Sequence, residues 1–122
     1  MKTIENINEI TSVLTDVQKQ ILKDTINCGM WGDCDMSFLD QDGNVETDHC
    51  YGYCTNDAKL AGNHSGRAVS ANFRAIYKKL CPCDTEIGEV ISHFSDWWGD
   101  GSGDMLFIRD EYVDAFTEWA KQ

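Results

Sequence analysis

Basic side chains are concentrated in one segment of an otherwise acidic chain. Residues 58–80 contain five of the ten Lys and Arg residues and no Asp or Glu, whereas the rest of the sequence carries the other five against 21 acidic residues. Guanidinium and ammonium groups bind phosphate oxygens, and their clustering on one element is the electrostatic footprint of a nucleic-acid-binding surface. The segment predicts a phosphate-binding site made of Lys59, Arg67, Arg74, Lys78 and Lys79.

Acidic side chains dominate the region before this segment and suggest a different chemistry. The dipeptide Asp42-Gly43, flanked by β-favouring residues, predicts a hairpin. A calcium loop that began at Asp40 would place Val45 where an EF-hand requires glycine, so calcium does not fit. A solvated acidic surface fits better, and it could bind a basic protein partner through four side chains: Asp40, Asp42, Glu46 and Asp48.

The six cysteines fall in three close pairs along the sequence, and thiolates are natural ligands of zinc. None of the spacings is the CxxC of a zinc knuckle, so free and mostly buried thiols are the first expectation. The alternative is a zinc-stabilised interaction module that draws on Cys28, Cys34, Cys50 and Cys54, with His49 or His64 nearby.

No combination of residues predicts a catalytic centre. The three histidines are isolated in the sequence, and the glycines of residues 99–103 lack the Lys and Ser/Thr of a phosphate loop. We therefore expect a protein that is not an enzyme and that needs no cofactor.

Amphipathic helices are predicted to position these groups. A short one lies near the N-terminus, and Thr15 is a good N-cap for a second that runs to about residue 28. In residues 65–80 the apolar side chains share one face, and the basic ones share the other with Ser70 and Ala71. Asp110 is predicted to cap a helix over about 110–121, whose apolar stripe either closes the core or pairs two subunits in a homodimer.

The order of these elements resembles a winged helix-turn-helix domain of the kind found in bacterial transcription regulators. The helix over 15–28, the sequence Ala58-x-x-x-Gly62 and the basic helix over 65–80 carry the similarity, with the helix-turn-helix itself at about residues 55–80. The resemblance implies an α+β fold, mainly helical with one or two β-hairpins. It also implies that the basic helix lies in the major groove of double-stranded DNA.

The same resemblance implies a wing at about residues 90–109, where two arms flank a glycine-rich turn. Residues 81–104 contain no Lys or Arg, so we do not expect this wing to contact phosphate. Its Trp97 and Trp98 are predicted either to pack on the core or to meet a protein partner.

Length and charge limit the function further. A chain of 122 residues is expected to form one domain, and it has no apolar run that could cross a bilayer, so a cytoplasmic location is predicted. Its net charge of −11 repels nucleic acid at long range. A DNA-binding transcription regulator is the first hypothesis. The alternative is an acidic phage or mobile-element anti-defence protein, of the anti-CRISPR or anti-restriction type, that inhibits a nucleic-acid-binding enzyme.

Overall fold

The computed structural model describes residues 2–55, 64, 66–81, 86–95, 99 and 104–122. Four helices and four strands lie in this part of the chain, in the order α-α-β-β-α-β-β-α. Their bounds are α1 Ile4–Thr11, α2 Asp16–Asn27, β1 Gly32–Leu39, β2 Val45–Cys54, α3 Gly66–Leu80, β3 Ile91–Phe94, β4 Met105–Arg109 and α4 Asp110–Ala120. None of the described helices is long and apolar enough to cross a membrane.

The four strands form a single antiparallel sheet in the order β1-β2-β4-β3. Strands β1 and β2 are a hairpin, in which Asp40 accepts hydrogen bonds from the turn and Gly43 takes a φ of 83°. Glycine suits this position because a side chain disfavours positive φ. On its other side β2 pairs with β4, for example Tyr51 with Ile108. In the sequence these two strands are far apart, because the long connection that contains α3 lies between them.

Alternation along the strands gives the sheet two different faces. Tyr53, Leu106 and Ile108 point to the face covered by the helices, where they join the main core. Phe38, Cys50, Met105 and Phe107 point to the opposite face and form a smaller second core. Strand β4 contributes to both cores, which explains why its first four residues are all buried.

The two edge strands of the sheet, β1 and β3, approach each other, which shows that the sheet is strongly curled. The Ser92 hydroxyl donates a hydrogen bond to the carbonyl of Ser37 at 2.8 Å, which joins β3 to β1. The backbone N–H of Leu39 donates to the carbonyl of Gly88 at 3.0 Å. The second core is enclosed by this curvature.

The winged helix-turn-helix fold expected from the sequence is wrong. The segments predicted as a wing do contain two strands, β3 and β4, but β4 lies between β3 and β2. Both predicted hairpins are thus merged into one four-stranded sheet that forms a full layer of the protein. A sequence pattern identifies strands from local alternation, but it does not show that β4 pairs with a strand some fifty residues earlier.

Several individual helices match the prediction. Thr15 caps α2, its hydroxyl accepting from the N–H of Gln18 at 3.2 Å. Helix α4 also forms, but the prediction that Asp110 caps it is wrong, because Asp110 is its first residue and the N-cap, Arg109, makes no side-chain capping hydrogen bond. Helix α3 begins at Gly66 and ends at Leu80, within one residue of the predicted bounds. The predicted helix at residues 58–62 lies outside the described residues.

Candidate nucleic-acid-binding surface

Helix α3 places its apolar and its basic side chains on opposite faces, as the sequence predicted. Val69, Phe73 and Ile76 are buried in the protein. Positions 67, 71, 74 and 78 follow one another at helical spacings of four, three and four residues, so they form one stripe. The stripe and its flank are exposed to solvent: Arg67, Ala71, Arg74, Lys78 and Lys79. We call the four cations Arg67, Arg74, Lys78 and Lys79 the basic face.

Helix α3 is held against α2 by polar contacts near both of its ends. The ammonium of Lys79 donates a hydrogen bond to Oε1 of Gln18 at 2.9 Å. Just before the start of α3, Nε2 of His64 lies 2.7 Å from the Asp24 carboxylate. Since Gln18 is near the start of α2 and Asp24 near its end, the two helices run antiparallel.

A buried histidine fixes α3 to the sheet. The ring of Tyr77 stacks on that of His93 at a centroid distance of 4.1 Å, and Phe73 lies against the same imidazole. Burial lowers the pKa of His93, although the carboxylates of Asp104 and Glu86 lie 3.4 and 3.7 Å from its two ring nitrogens and act in the opposite direction. This packing orients the basic face outward.

The basic face is not neutralised by the acidic residues that the structure describes. Arg67, Arg74 and Lys78 make no salt bridge with any described carboxylate, and Lys79 bonds to a neutral amide. Ala71 lies between Arg67 and Arg74 and adds only a methyl group to the surface. The face spans about 16 Å from Arg67 to Lys78 at a helical rise of about 1.5 Å per residue.

The acidic hairpin, defined by Asp40, Asp42, Glu46 and Asp48, does not cover the basic face. Its charges are instead matched by Arg109 at the end of β4. The guanidinium donates to Asp48 through Nε at 2.7 Å and to Glu46 through Nη2, and Nη1 donates to two backbone carbonyls. The Arg109 hydrogen bond lowers the pKa of Asp48.

An open cleft of about 570 Å³ lies beside this ion-pair network. Carboxylates from the hairpin, from the segment before β3 and from α4 converge on it, together with two cations and an aromatic ring. The lining side chains include Asp40, Asp42, Glu46, Glu89, Glu111, Lys2, Arg109 and Tyr112. Three of the four acidic residues that the sequence assigned to a protein partner line this cleft, and the fourth, Asp48, binds Arg109, as Glu46 also does.

A second group of charges surrounds His49, which lies on the same face of β2 as Tyr51 and Tyr53. Its Nε2 lies 2.9 Å from the Asp33 carboxylate, and Nδ1 lies 3.7 Å from Asp110 at the start of α4. The Asp33 hydrogen bond raises the pKa of His49.

The four cysteines considered for zinc are not brought together as one site. Cys34 and Cys50 lie opposite each other on β1 and β2, with their sulfurs 4.0 Å apart. Cys54 lies four residues further along β2, or about 13 Å at the rise of a strand, and Cys28 ends α2. Among the described residues, no group of three or more His, Cys, Asp or Glu could hold a metal ion. The four-ligand site is wrong for this geometry.

Some predicted site residues cannot be compared with the structure. Lys59, Trp97 and Trp98 lie outside the described residues, and Ser70 lies in α3 without a described side chain. The apolar stripe of α4 is buried within the chain, as shown by Val113, Phe116 and Trp119. A homodimer through α4 stays a prediction, and it would have to use the exposed side of that helix.

Sequence reasoning missed Arg109, His93 and the facing pair of Cys34 and Cys50. Arg109 had a visible signal, since it is the one basic residue between Lys79 and Lys121. The position of His93 and the facing of Cys34 and Cys50 depend on strand register, which local sequence patterns leave open.

A scan against protein-family models and searches of curated proteins and of solved structures found no match to this chain.

Proposed function

We propose that the protein binds double-stranded DNA through the basic face of α3. One observation carries the proposal: four of the ten Lys and Arg residues of an acidic chain lie on the exposed side of one helix, and no described carboxylate pairs with them. The proposal does not depend on a winged helix. It requires a surface helix that can enter the major groove, which admits one α-helix.

The arrangement of the basic face fits such a contact. Arg67 and Arg74 are two turns apart on one stripe, so both can reach the same groove, and Arg is the side chain most often paired with guanine. The methyl group of Ala71 between them allows the helix backbone to approach. Lys78 and Lys79, near the end of the helix, are suited to phosphate.

The number of cations on the basic face and the net charge of −11 together set the expected strength and salt dependence of DNA binding. Four phosphate contacts release about four counterions, which gives a slope of about −3.6 in a plot of log K against log salt concentration. The rest of the protein repels DNA, so we expect binding to be weak at physiological salt. A role in transcription and a cytoplasmic location follow from the proposal as expectations.

Fluorescence anisotropy with a labelled random-sequence duplex in low salt tests the phosphate contacts. We expect Lys78→Ala to reduce the salt slope by about one unit. Lys121→Ala is the matched control, since it removes the same charge from an exposed site beyond α4. An equal reduction of the salt slope in both variants would show that only the overall charge of the protein matters. If the wild type did not bind DNA at low salt, the proposal would be refuted.

The acidic cleft favours a second candidate function. We also propose that a basic, nucleic-acid-binding protein docks there, as expected for an anti-defence protein. The cleft has carboxylates from three parts of the chain, and the side chain of Asp42 makes no ion pair among the described residues. Asp42 is therefore the hairpin carboxylate most available to such a partner.

A pull-down with a basic nuclease tests this second candidate. Binding should weaken with salt, and Asp42→Asn should weaken it further. Glu5→Gln is the matched control because it removes one negative charge from the exposed first turn of α1. Capture that is unaffected by either variant would exclude the cleft as the docking site.

A further inference from the structure

The second core of the protein is unusually rich in sulfur. It consists of four buried residues and three partly buried ones that pack against them. Five of these seven side chains carry sulfur: Cys34, Met36, Cys50, Cys54 and Met105. The other two are the phenylalanines Phe38 and Phe107, so this core is soft and apolar.

Two of these sulfurs are already placed as a pair. Cys34 and Cys50 are directly opposite each other in the β1–β2 register, and their sulfurs are 4.0 Å apart. Metal–sulfur bonds of about 2.3 Å place two thiolates roughly 3.8 Å apart at a tetrahedral angle and roughly 4.6 Å apart on a straight line. The observed separation lies between these limits.

We propose that Cys34 and Cys50 bind one monovalent copper ion as a dithiolate. Soft thiolate and thioether groups select Cu(I), and this ion accepts the low coordination number that the pair offers. Zinc fits less well, because its protein sites are nearly always completed by four ligands and no described group of three zinc-type side chains converges here.

The two cysteines differ in their exposure to solvent. Cys50 is fully buried, whereas Cys34 is partly exposed and offers the ion a way in. Met36 follows Cys34 on the same face of β1 and also lines a cavity of about 350 Å³ that opens to solvent. Met105 lies over Gly52, where an added Cβ would come within 2.9 Å of its methyl group. Two thioethers are thus part of the same core as the pair.

Binding changes protonation but not oxidation state. Each thiol loses its proton, two sulfur–copper bonds form, and the protein releases two protons to solvent while copper stays monovalent. We therefore expect copper affinity to increase steeply with pH.

Anaerobic titration of the whole protein with Cu(I), in competition with a coloured Cu(I) chelator, tests the site. We expect the wild type to bind one equivalent of Cu(I) more than the Cys34→Ser variant. The affinity for this equivalent should increase by up to 100-fold for each unit by which the pH is raised. Cys28→Ser is the matched control, since Cys28 lies at the end of α2 and should leave this equivalent intact.

X-ray absorption of the one-equivalent complex should show a first shell of sulfur only. Circular dichroism of each variant checks folding, and Cys34→Ser is preferred to Cys50→Ser because Cys34 is partly exposed. The proposal is overturned if a folded Cys34→Ser protein binds as much copper as the wild type, if nitrogen or oxygen ligands appear, or if Zn(II) displaces Cu(I) from the pair.

Discussion

The basic face of α3 and the acidic hairpin differ in whether their charges have partners within the protein. In the hairpin, Glu46 and Asp48 bind Arg109, and Asp40 accepts two backbone N–H groups of the turn. On α3, only Lys79 among the four cations has a described hydrogen-bond partner, and that partner is uncharged. The hairpin carboxylates thus have structural roles, whereas the cations of α3 have no ion-pair partner among the residues that the structure describes.

The largest expected effect is on stability and comes from the hairpin. Arg109→Ala would remove two ion pairs and two hydrogen bonds to backbone carbonyls. Breaking a buried pair costs about 3–5 kcal/mol, but Glu46 and Asp48 are about two-fifths exposed and can be rehydrated. We expect a loss of about 2–3 kcal/mol in the free energy of unfolding in urea.

Arg74→Ala is the control for that measurement. Its side chain is exposed, so removing it should change stability by no more than about 0.5 kcal/mol. If both arginine variants lost the same stability, the distinction between matched and unmatched charges would be wrong.

The next effect is on DNA affinity and comes from α3. Arg67→Ala and Arg74→Ala should each weaken binding to a selected sequence by roughly 1–3 kcal/mol, if these guanidinium groups contact bases. Selection from a random duplex library followed by anisotropy measures this. Unchanged affinity in the double variant, with the fold intact, would assign the basic face to solvent.

Acid should weaken the hairpin at a predictable pH. Because Arg109 lowers the pKa of Asp48 below its ordinary value of 3.8, the stabilisation is complete above that value and is lost as the pH falls through the lower folded-state pKa. Urea unfolding between pH 5 and 3 should show this loss. In Arg109→Ala the pH dependence should be shallower, and an identical curve would show that Arg109 does not set this pKa.

The smallest effect comes from His49. The pKa of His49 is raised above 6.5. Its contribution to the free energy of unfolding is therefore complete below pH 6.5 and is lost as the pH increases through the folded-state pKa. His93 titrates in the opposite direction, since burial lowers its pKa. The difference between the wild type and His49→Ala across pH 6–8 isolates His49, and parallel curves would contradict its pairing with Asp33.

The helices were predictable because their evidence is local. Thr15 as an N-cap and the two faces of residues 65–80 both depend on neighbours within one or two turns. The Asp42-Gly43 turn was equally local. The basic face was therefore visible in the sequence, and the structure adds that it is exposed.

The sheet was not predictable because its pairing is long-range. Strands β3 and β4 looked like a separate wing, since nothing near Met105 or Arg109 indicates that their partners are Cys54 and Cys50. The hidden register also concealed the Arg109 ion pairs and the facing thiols. Local sequence patterns do not show which strands are neighbours, and these features were missed for that reason.

The pairing of β2 with β4 also has a consequence for how the protein is made. Strand β2 leaves the ribosome some fifty residues before the strand that pairs with its second edge, and Tyr51 and Tyr53 have no sheet neighbour on that side until then. Contacts between distant parts of a chain slow folding. The first half should therefore remain open to proteases or chaperones during synthesis, and the native sheet should form only after Met105–Arg109 has emerged.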